Sequence, residues 1–225
     1  KLIMSDQMEY ISFDIFDTLI VRALGHPSDV FTLLNPLFRQ LLNTNASFEK
    51  VRIEGEQEAR AYYGTADPKR QDITLTEIYD YLENFYSIPH ATIQQMKQAE
   101  IELELEVTSA RESAMELYEL AKLMGKKVII ISDMYLERET IENLLHKNGY
   151  DGYNELFVSS QIGKTKNSGD LFRYVLHRLG CEPPRVLHTG DTWRNGIEMG
   201  QACRIHTFFF PKTQAGLVMH RICMT

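Results

Sequence analysis

Cysteine is scarce in this sequence. Cys181, Cys203 and Cys223 are odd in number, far apart, and form no C-x-x-C pair. That argues against a disulfide framework or a zinc site and for a reducing compartment, which points to the cytoplasm. Long hydrophobic runs are missing too, and no apolar stretch approaches the length of a membrane span. Lys1 to Asp6 lacks the make-up of a signal peptide. Positive charge is in deficit: 24 Lys and Arg against 31 Asp and Glu leave a net charge of -7. Bulk binding to a nucleic-acid backbone therefore does not fit, because such modules carry a basic stripe. A small anionic substrate stays open, since one lysine and a metal outweigh the global field locally. Internal repeats and low-complexity tracts are absent. The first residue is Lys rather than Met, so the sequence reads as a piece of something longer.

What is present is a repeated form: an apolar strand followed at once by polar residues. Tyr10-Ile11-Ser12-Phe13 leads into Asp14, with Asp17-Thr18-Leu19 just after. Val128 to Ile131 leads into Ser132-Asp133, Leu156 to Val158 into Ser159-Ser160, and Val186 to His188 into Thr189-Gly190-Asp191. Open α/β sheets present their chemistry at such strand ends. From Lys126 onward strands alternate with helices: strands at Lys126–Ile131, Leu156–Ser159, Arg185–His188 and Ile205–Phe210, helices at Glu137–Lys147, Asn167–Leu179 and Arg194–Gly200. That alternation implies right-handed crossovers and a parallel sheet.

Between the first strand and Met124 the sequence is helical. Pro36 is expected to break the apolar-periodic run from Val30 to Leu41. Ala46 to Tyr63 reads as a helix ending at Gly64, and Thr65 to Asp72 as a loop. Thr74-Leu75-Thr76-Glu77 matches a capping box. Pro89 separates that helix from Ala91–Val107, and Ala110–Met124 stops at Gly125. A chain of 225 residues suits one domain with a sizeable insertion. The fold class is therefore α/β: a doubly wound parallel sheet formed by residues 1–22 and 125–225, with residues 23–124 as an inserted helical cap.

These strand ends suit phosphate-ester hydrolysis. A carboxylate that attacks phosphorus divides one hard step into two. The charge on the phosphoryl oxygens needs a cation, a lysine and hydroxyl or amide donors. Asp14 and Asp191 supply carboxylates, Ser132 a hydroxyl, and Lys164 and Lys166 amines. In order and spacing these residues resemble the haloacid dehalogenase-like hydrolase superfamily. Asp14-Ile15-Phe16-Asp17-Thr18 matches its D-x-D-x-T motif except at Phe16. Ser132 matches its second motif, Lys166 with Phe172 its K-x5-[FY], and Gly190-Asp191 its fourth. The wording Phe13-Asp14-Ile15-Phe16-Asp17-Thr18-Leu19, with Ile131-Ser132-Asp133-Met134-Tyr135, is similar to a bacterial branch joined to glycosyltransferases of polysaccharide synthesis.

The resemblance implies Asp14 as nucleophile and magnesium ligand, Phe16 as a ligand through its backbone carbonyl, and Asp191 as completing the metal site. It implies Ser132 and Lys166 as partners of the phosphoryl group and Thr18 as support of the loop; Thr18, Ser132, Asp133 and Lys164 are candidates for binding a small phosphorylated substrate. Lys166 has better spacing than Lys164. Two departures stand out. Phe16 replaces the aspartate that protonates the leaving group, a function worth ~10²–10⁴-fold. Gly196, preceded by Asn195, stands where a further acid often supports the metal. Asp17 is a candidate substitute acid, though its side chain is expected to point away. A dehalogenase needs no such acid, and a degenerate binding module needs no turnover. Ordinary roles are expected elsewhere: Asp133 capping the next helix, His188 as a satisfied core histidine, Trp193 facing substrate or packed under the cap, and Glu100, Glu102, Glu104 and Glu106 mostly solvated.

Overall fold

The computed structural model describes residues 2–212. Cys223 and the last residues of the expected core, 213–225, lie outside them.

The chain opens with strand β1 (Tyr10–Phe13), and β2 (Ile20–Arg22) follows within seven residues. Five helices come next: α1 (Asp29–Leu33), α2 (Asn35–Leu42), α3 (Phe48–Ala66), α4 (Leu75–Phe85) and α5 (His90–Val107). Strand β3 (Thr108–Ala110) returns antiparallel to β2. The remainder alternates: α6 (Glu112–Leu123), β4 (Lys127–Ser132), α7 (Arg138–Lys147), β5 (Glu155–Val158), α8 (Ser159–Ile162), α9 (Asp170–Leu179), β6 (Val186–Gly190), a π-helical turn (Trp193–Glu198), α10 (Met199–Ala202) and β7 (His206–Phe209).

Five strands form one parallel sheet in the order β5-β4-β1-β6-β7. The order reverses at β1, so the crevice between the ends of β1 and β6 is the switch point where open α/β sheets bind ligands. Both faces of the sheet are covered, as a continuous apolar run requires. On β4, Val128 and Ile130 join Tyr118 of α6 and Leu144 of α7 in one core. Ile129 and Ile131 join Leu171, Phe172 and Val175 of α9 in the other.

The five inserted helices rest on the loops beyond the strand ends. The Leu75 amide donates to the Tyr135 carbonyl, the Thr76 amide to Glu137, and the Gln71 amide to the Gly163 carbonyl. Asp72 also meets the Ser159 hydroxyl. Gly55 lets α3 approach α4 closely, since a Cβ there would sit 2.3 Å from Leu82. The capping box at Thr74 forms as read, with both reciprocal bonds present.

Several boundaries move for identifiable reasons. The expected helix over Val30–Leu41 is broken as Pro36 requires, at Leu34. Helix α3 runs past Gly64, because a glycine tolerates helical angles, and ends where Pro68 forces Asp67 into extended geometry. Helix α6 starts late because β3 has claimed Thr108–Ala110. Helix α9 starts at Asp170 because Gly169 takes a left-handed conformation (φ 76°). Strands β2 and β3 escaped the sequence reading, since three residues are too few to show an alternation.

The acidic stripe on α5 needs correction. Glu102 and Glu106 are exposed as expected, but Glu100 and Glu104, one turn apart, are buried. Arg52 binds Glu100 through two bonds of 2.8 and 2.9 Å, and Tyr79 donates to the same carboxylate at 2.8 Å. Arg22 binds Glu104 through two bonds of 2.9 and 3.1 Å. Paired arginines and a hydroxyl offset the desolvation of these acids, and the partners come from segments 48 and 82 residues away.

Candidate active site

Strand β1 delivers Asp14 to the switch point. The Asp14 amide donates to the Thr189 carbonyl at 2.9 Å, which extends the pairing with β6 by one residue and fixes where the side chain starts. Gly190 on β6 keeps the neighbouring wall low: a Cβ there would meet Asp14 Cβ at 3.7 Å and His188 Nε2 at 3.3 Å. The carboxylate accepts from the Ile15 amide at 2.9 Å through Oδ1. On the same oxygen, Lys166 Nζ lies 2.7 Å away. Both side chains are largely buried, so water screens this pair little.

Lys166 is held at both ends. Its ammonium also donates to the Ile131 carbonyl at 3.3 Å. Its amide donates to both oxygens of Asp133, at 2.8 and 3.0 Å. Asp133 thus braces the lysine loop and does not cap α7, whose N-cap position belongs to Glu137. Burial pushes the Asp133 carboxyl up, against the pull of Lys166. Lys164 lies two residues away but takes another direction. It lines an open groove of about 360 Å³ with Asp67, Lys69, Arg70 and Gly163.

Asp191 follows β6 directly and is buried. Burial and then the charge of Asp14 push its carboxyl above the usual range, while Lys212 pulls it down. Lys212 Nζ lies 3.3 Å from Asp191 Oδ2 and 2.8 Å from Asp17 Oδ2. Asp17 sits at φ 57°, in the left-handed region. Its carboxylate is engaged with Lys212, and its carbonyl accepts from Arg111 at 2.8 Å.

The remaining predicted residues sit around this pair. Ser132 ends β4 and is buried. Thr18 is fully buried, and its hydroxyl has no partner among the described residues. Phe16 is half-buried, with the Arg22 guanidinium 4.1 Å from its ring centre. Asn195 and Gly196 fall in the π-helical turn. Trp193 is exposed and packs edge-on against Phe209 rather than under the inserted helices, its indole N–H donating to Glu198. His188 is only half satisfied. Its Nδ1 lies 2.8 Å from Ser12 Oγ, but Nε2 is buried without a partner among the described residues. Burial, then the Lys166 charge, holds the imidazole well below its usual pKa and neutral.

Lys212 and Arg111 were missed by sequence reasoning. They reach Asp17 from 195 and 94 residues away; Lys212 follows the expected strand Ile205–Phe210 by two residues, but nothing local shows that it or Arg111 turns back to Asp17. Among the described residues no group of three or more His, Cys, Asp and Glu forms a metal cluster. Magnesium does not need one: it takes one or two carboxylates and fills its shell with water and phosphate. Asp14, Asp191 and a main-chain carbonyl are donors of that kind. Cys181 and Cys203 are free thiols, and no helix among the described residues is long and apolar enough to cross a membrane.

Comparison with known proteins agrees with this fold. A 2-haloacid dehalogenase from Pseudomonas syringae superposes with a TM-score of 0.60 at 16% identity, over 90% of this chain and 86% of that one. A predicted phosphoglycolate phosphatase from Haemophilus somnus gives 0.55 at 15% identity, over 93% and 91%. A HAD family enzyme from Bacteroides thetaiotaomicron, in complex with magnesium and inorganic phosphate, gives 0.61 at 12% identity, over 90% and 93%. At such identities the likeness speaks for the fold. No curated protein matches the sequence. The family model for haloacid dehalogenase-like hydrolases matches residues 8–204, and the chain belongs to that family.

Proposed function

We propose that the protein is a magnesium-dependent phosphohydrolase that works through an aspartyl-phosphate on Asp14. The observation that carries this reading is the buried contact of 2.7 Å between Asp14 Oδ1 and Lys166 Nζ at the switch point, with Asp191 alongside. A carboxylate held against a buried lysine in this way is aimed, which is what a nucleophile requires.

In the first step Asp14 attacks phosphorus. The bond from phosphorus to the leaving oxygen breaks, and its electron pair leaves with that oxygen. In the second step water attacks phosphorus of the acyl-phosphate; the bond from phosphorus to the Asp14 oxygen breaks with its electron pair left on the carboxylate, and the phosphate departs carrying the protons of that water. Lys166 stays beside the transferring group and meets its charge, and Ser132 and the unpartnered Thr18 hydroxyl offer donors to its oxygens. Bound by Asp14, Asp191 and the Phe16 carbonyl, magnesium would neutralise the phosphoryl charge. The helices over the strand ends, residues 23–124, act as the cap that keeps water out, above a core of 1–22 and 125–225.

Phe16 has no proton to give, so the leaving group departs as an anion. That restricts good substrates to stable leaving groups, such as acyl phosphates or sugar-1-diphosphates. A phosphorylated sugar intermediate would also fit the resemblance to polysaccharide-synthesis proteins, with a glycosyltransferase as neighbour or fused partner, in the cytoplasm. A second reading, a dehalogenase, is favoured by the same Phe16, because a halide leaves without a proton. A third, a binding module, follows from Phe16 and Gly196 together.

The test is phosphate release with magnesium from an activated aryl phosphate, an acyl phosphate and a panel of sugar phosphates, beside halide release from 2-haloacids. Asp14→Asn is the control. Phosphate release that vanishes in the variant upholds the proposal. Halide release alone moves the assignment to the dehalogenase, and no turnover of any kind moves it to the binding module.

A further inference from the structure

The segment after β7 is led across the mouth of the site by named contacts. The Phe210 amide donates to the Gly190 carbonyl at 2.9 Å, next to Asp191. Arg111, at the foot of the inserted helices, donates to the Pro211 carbonyl at 2.7 Å and to the Asp17 carbonyl at 2.8 Å. Its guanidinium lies 3.8 Å from the Phe210 ring centre. Arg111 thus ties the backbone just before Lys212 to the left-handed turn at Asp17. From there the ammonium reaches both Asp17 and Asp191.

The charges around it explain why a lysine belongs there. Asp14 has Lys166 as its counter-ion. Asp191 is the other buried carboxylate of the pair and does not touch Lys166. A buried carboxylate beside another one needs a cation of its own. Lys212 supplies it from the solvent side, with most of its side chain exposed. A divalent cation at Asp191 and an ammonium 3.3 Å from the same carboxylate repel each other strongly.

We propose that Lys212 is the built-in counter-cation of Asp191, and that a divalent cation occupies Asp191 only by displacing it. Asp17 then keeps the ammonium at the mouth, ready to return when the metal leaves. The site is neutralised in both states, and Lys212 sets how tightly the metal is held. This rests on the reading of Asp14 and Asp191 as a magnesium site.

The experiment is magnesium titration by calorimetry, with manganese titration by electron paramagnetic resonance as a second readout. Neither needs turnover. The proteins are the parent chain, Lys212→Met, Lys212→Arg and Lys127→Met. Lys127 opens β4 at the far end of the sheet, paired with Glu9, and reports what loss of any one positive charge does. Lys212→Met binds magnesium about fivefold tighter than the parent, the upper range of an exposed ion pair. Lys212→Arg stays close to the parent, and Lys127→Met changes affinity by less than about twofold, because a distant charge is screened. Equal or weaker binding by Lys212→Met, or equal tightening in Lys127→Met, overturns the role of Lys212 and leaves the metal site standing. Binding by none of the four overturns both.

Discussion

Two regions of this molecule bury charge, and they do it differently. Inside the inserted helices, Arg52 is completely buried and spends its donors on Glu100 and Glu56, while Tyr79 adds a hydroxyl to Glu100. At the strand ends the carboxylates crowd: burial and then the charge of Asp14 push the Asp191 carboxyl up, and Thr18 Oγ1 and His188 Nε2 are buried with no partner among the described residues. The first arrangement holds helices together. The second leaves buried polar atoms unpartnered near the switch point of the sheet, the end where open α/β sheets bind ligands. A buried charge alone says little about function; whether its neighbours are satisfied says more.

Four substitutions sharpen that comparison. Asp14→Asn should lower turnover on the order of 10⁴-fold or more, as loss of a nucleophile does, far beyond the loss of Tm that follows from leaving the buried Lys166 ammonium without its counter-ion. Initial rates and calorimetry on one preparation check both halves. Arg52→Met should do the reverse. It strands Glu100 in the interior and should cost about 3–5 kcal/mol of stability, read by urea unfolding, while well-folded protein keeps its kcat. If Arg52→Met instead removed activity at full stability, the division between the two regions would fail.

Phe16→Asp should raise turnover of poor leaving groups by about 10²-fold, the low end of general acid catalysis. Activated aryl phosphates should gain little, since their leaving groups need no proton. The comparison of the two substrate classes is the measurement.

The smallest effect is expected at Asp191. Its carboxyl is raised in the folded state, so folded protein holds that proton more tightly than unfolded protein. The resulting stability is present at low pH and is lost as pH rises through the raised pKa. Asp191→Asn escapes that loss. Without divalent cations its Tm should exceed the parent's near pH 7 by about 2–4 °C, the effect of roughly 1 kcal/mol in a chain of this size. The gap should close below about pH 4, where the parent carboxyl is protonated too. Adding magnesium should raise the Tm of the parent and not that of the variant.

The strand ends were legible in the sequence because a covered parallel strand leaves a plain mark, an apolar run that stops at a polar residue. Asp14, Ser132 and Asp191 follow from that mark, and the alternation after Lys126 yields the parallel sheet. The buried ions were not legible. Glu100 and Glu104 look like any acids on a long helix, and only their arginines, far off in sequence, show that they face inward. The role of Asp133 was misread for a related reason. Its partner is the Lys166 amide, 33 residues on, rather than the helix beside it. Lys212 lies just past the expected last strand, but neither periodicity nor motif spacing shows which carboxylates it reaches.

The most direct test of the central claim is to catch the intermediate. Parent protein is mixed with magnesium and a radiolabelled acyl phosphate for less than one turnover, quenched in acid, and digested. The account predicts label on the peptide carrying Asp14, released by hydroxylamine as an acyl-phosphate must be, and none in Asp14→Asn. Turnover by the parent with no labelled peptide, matched by turnover in Asp14→Asn, would contradict it.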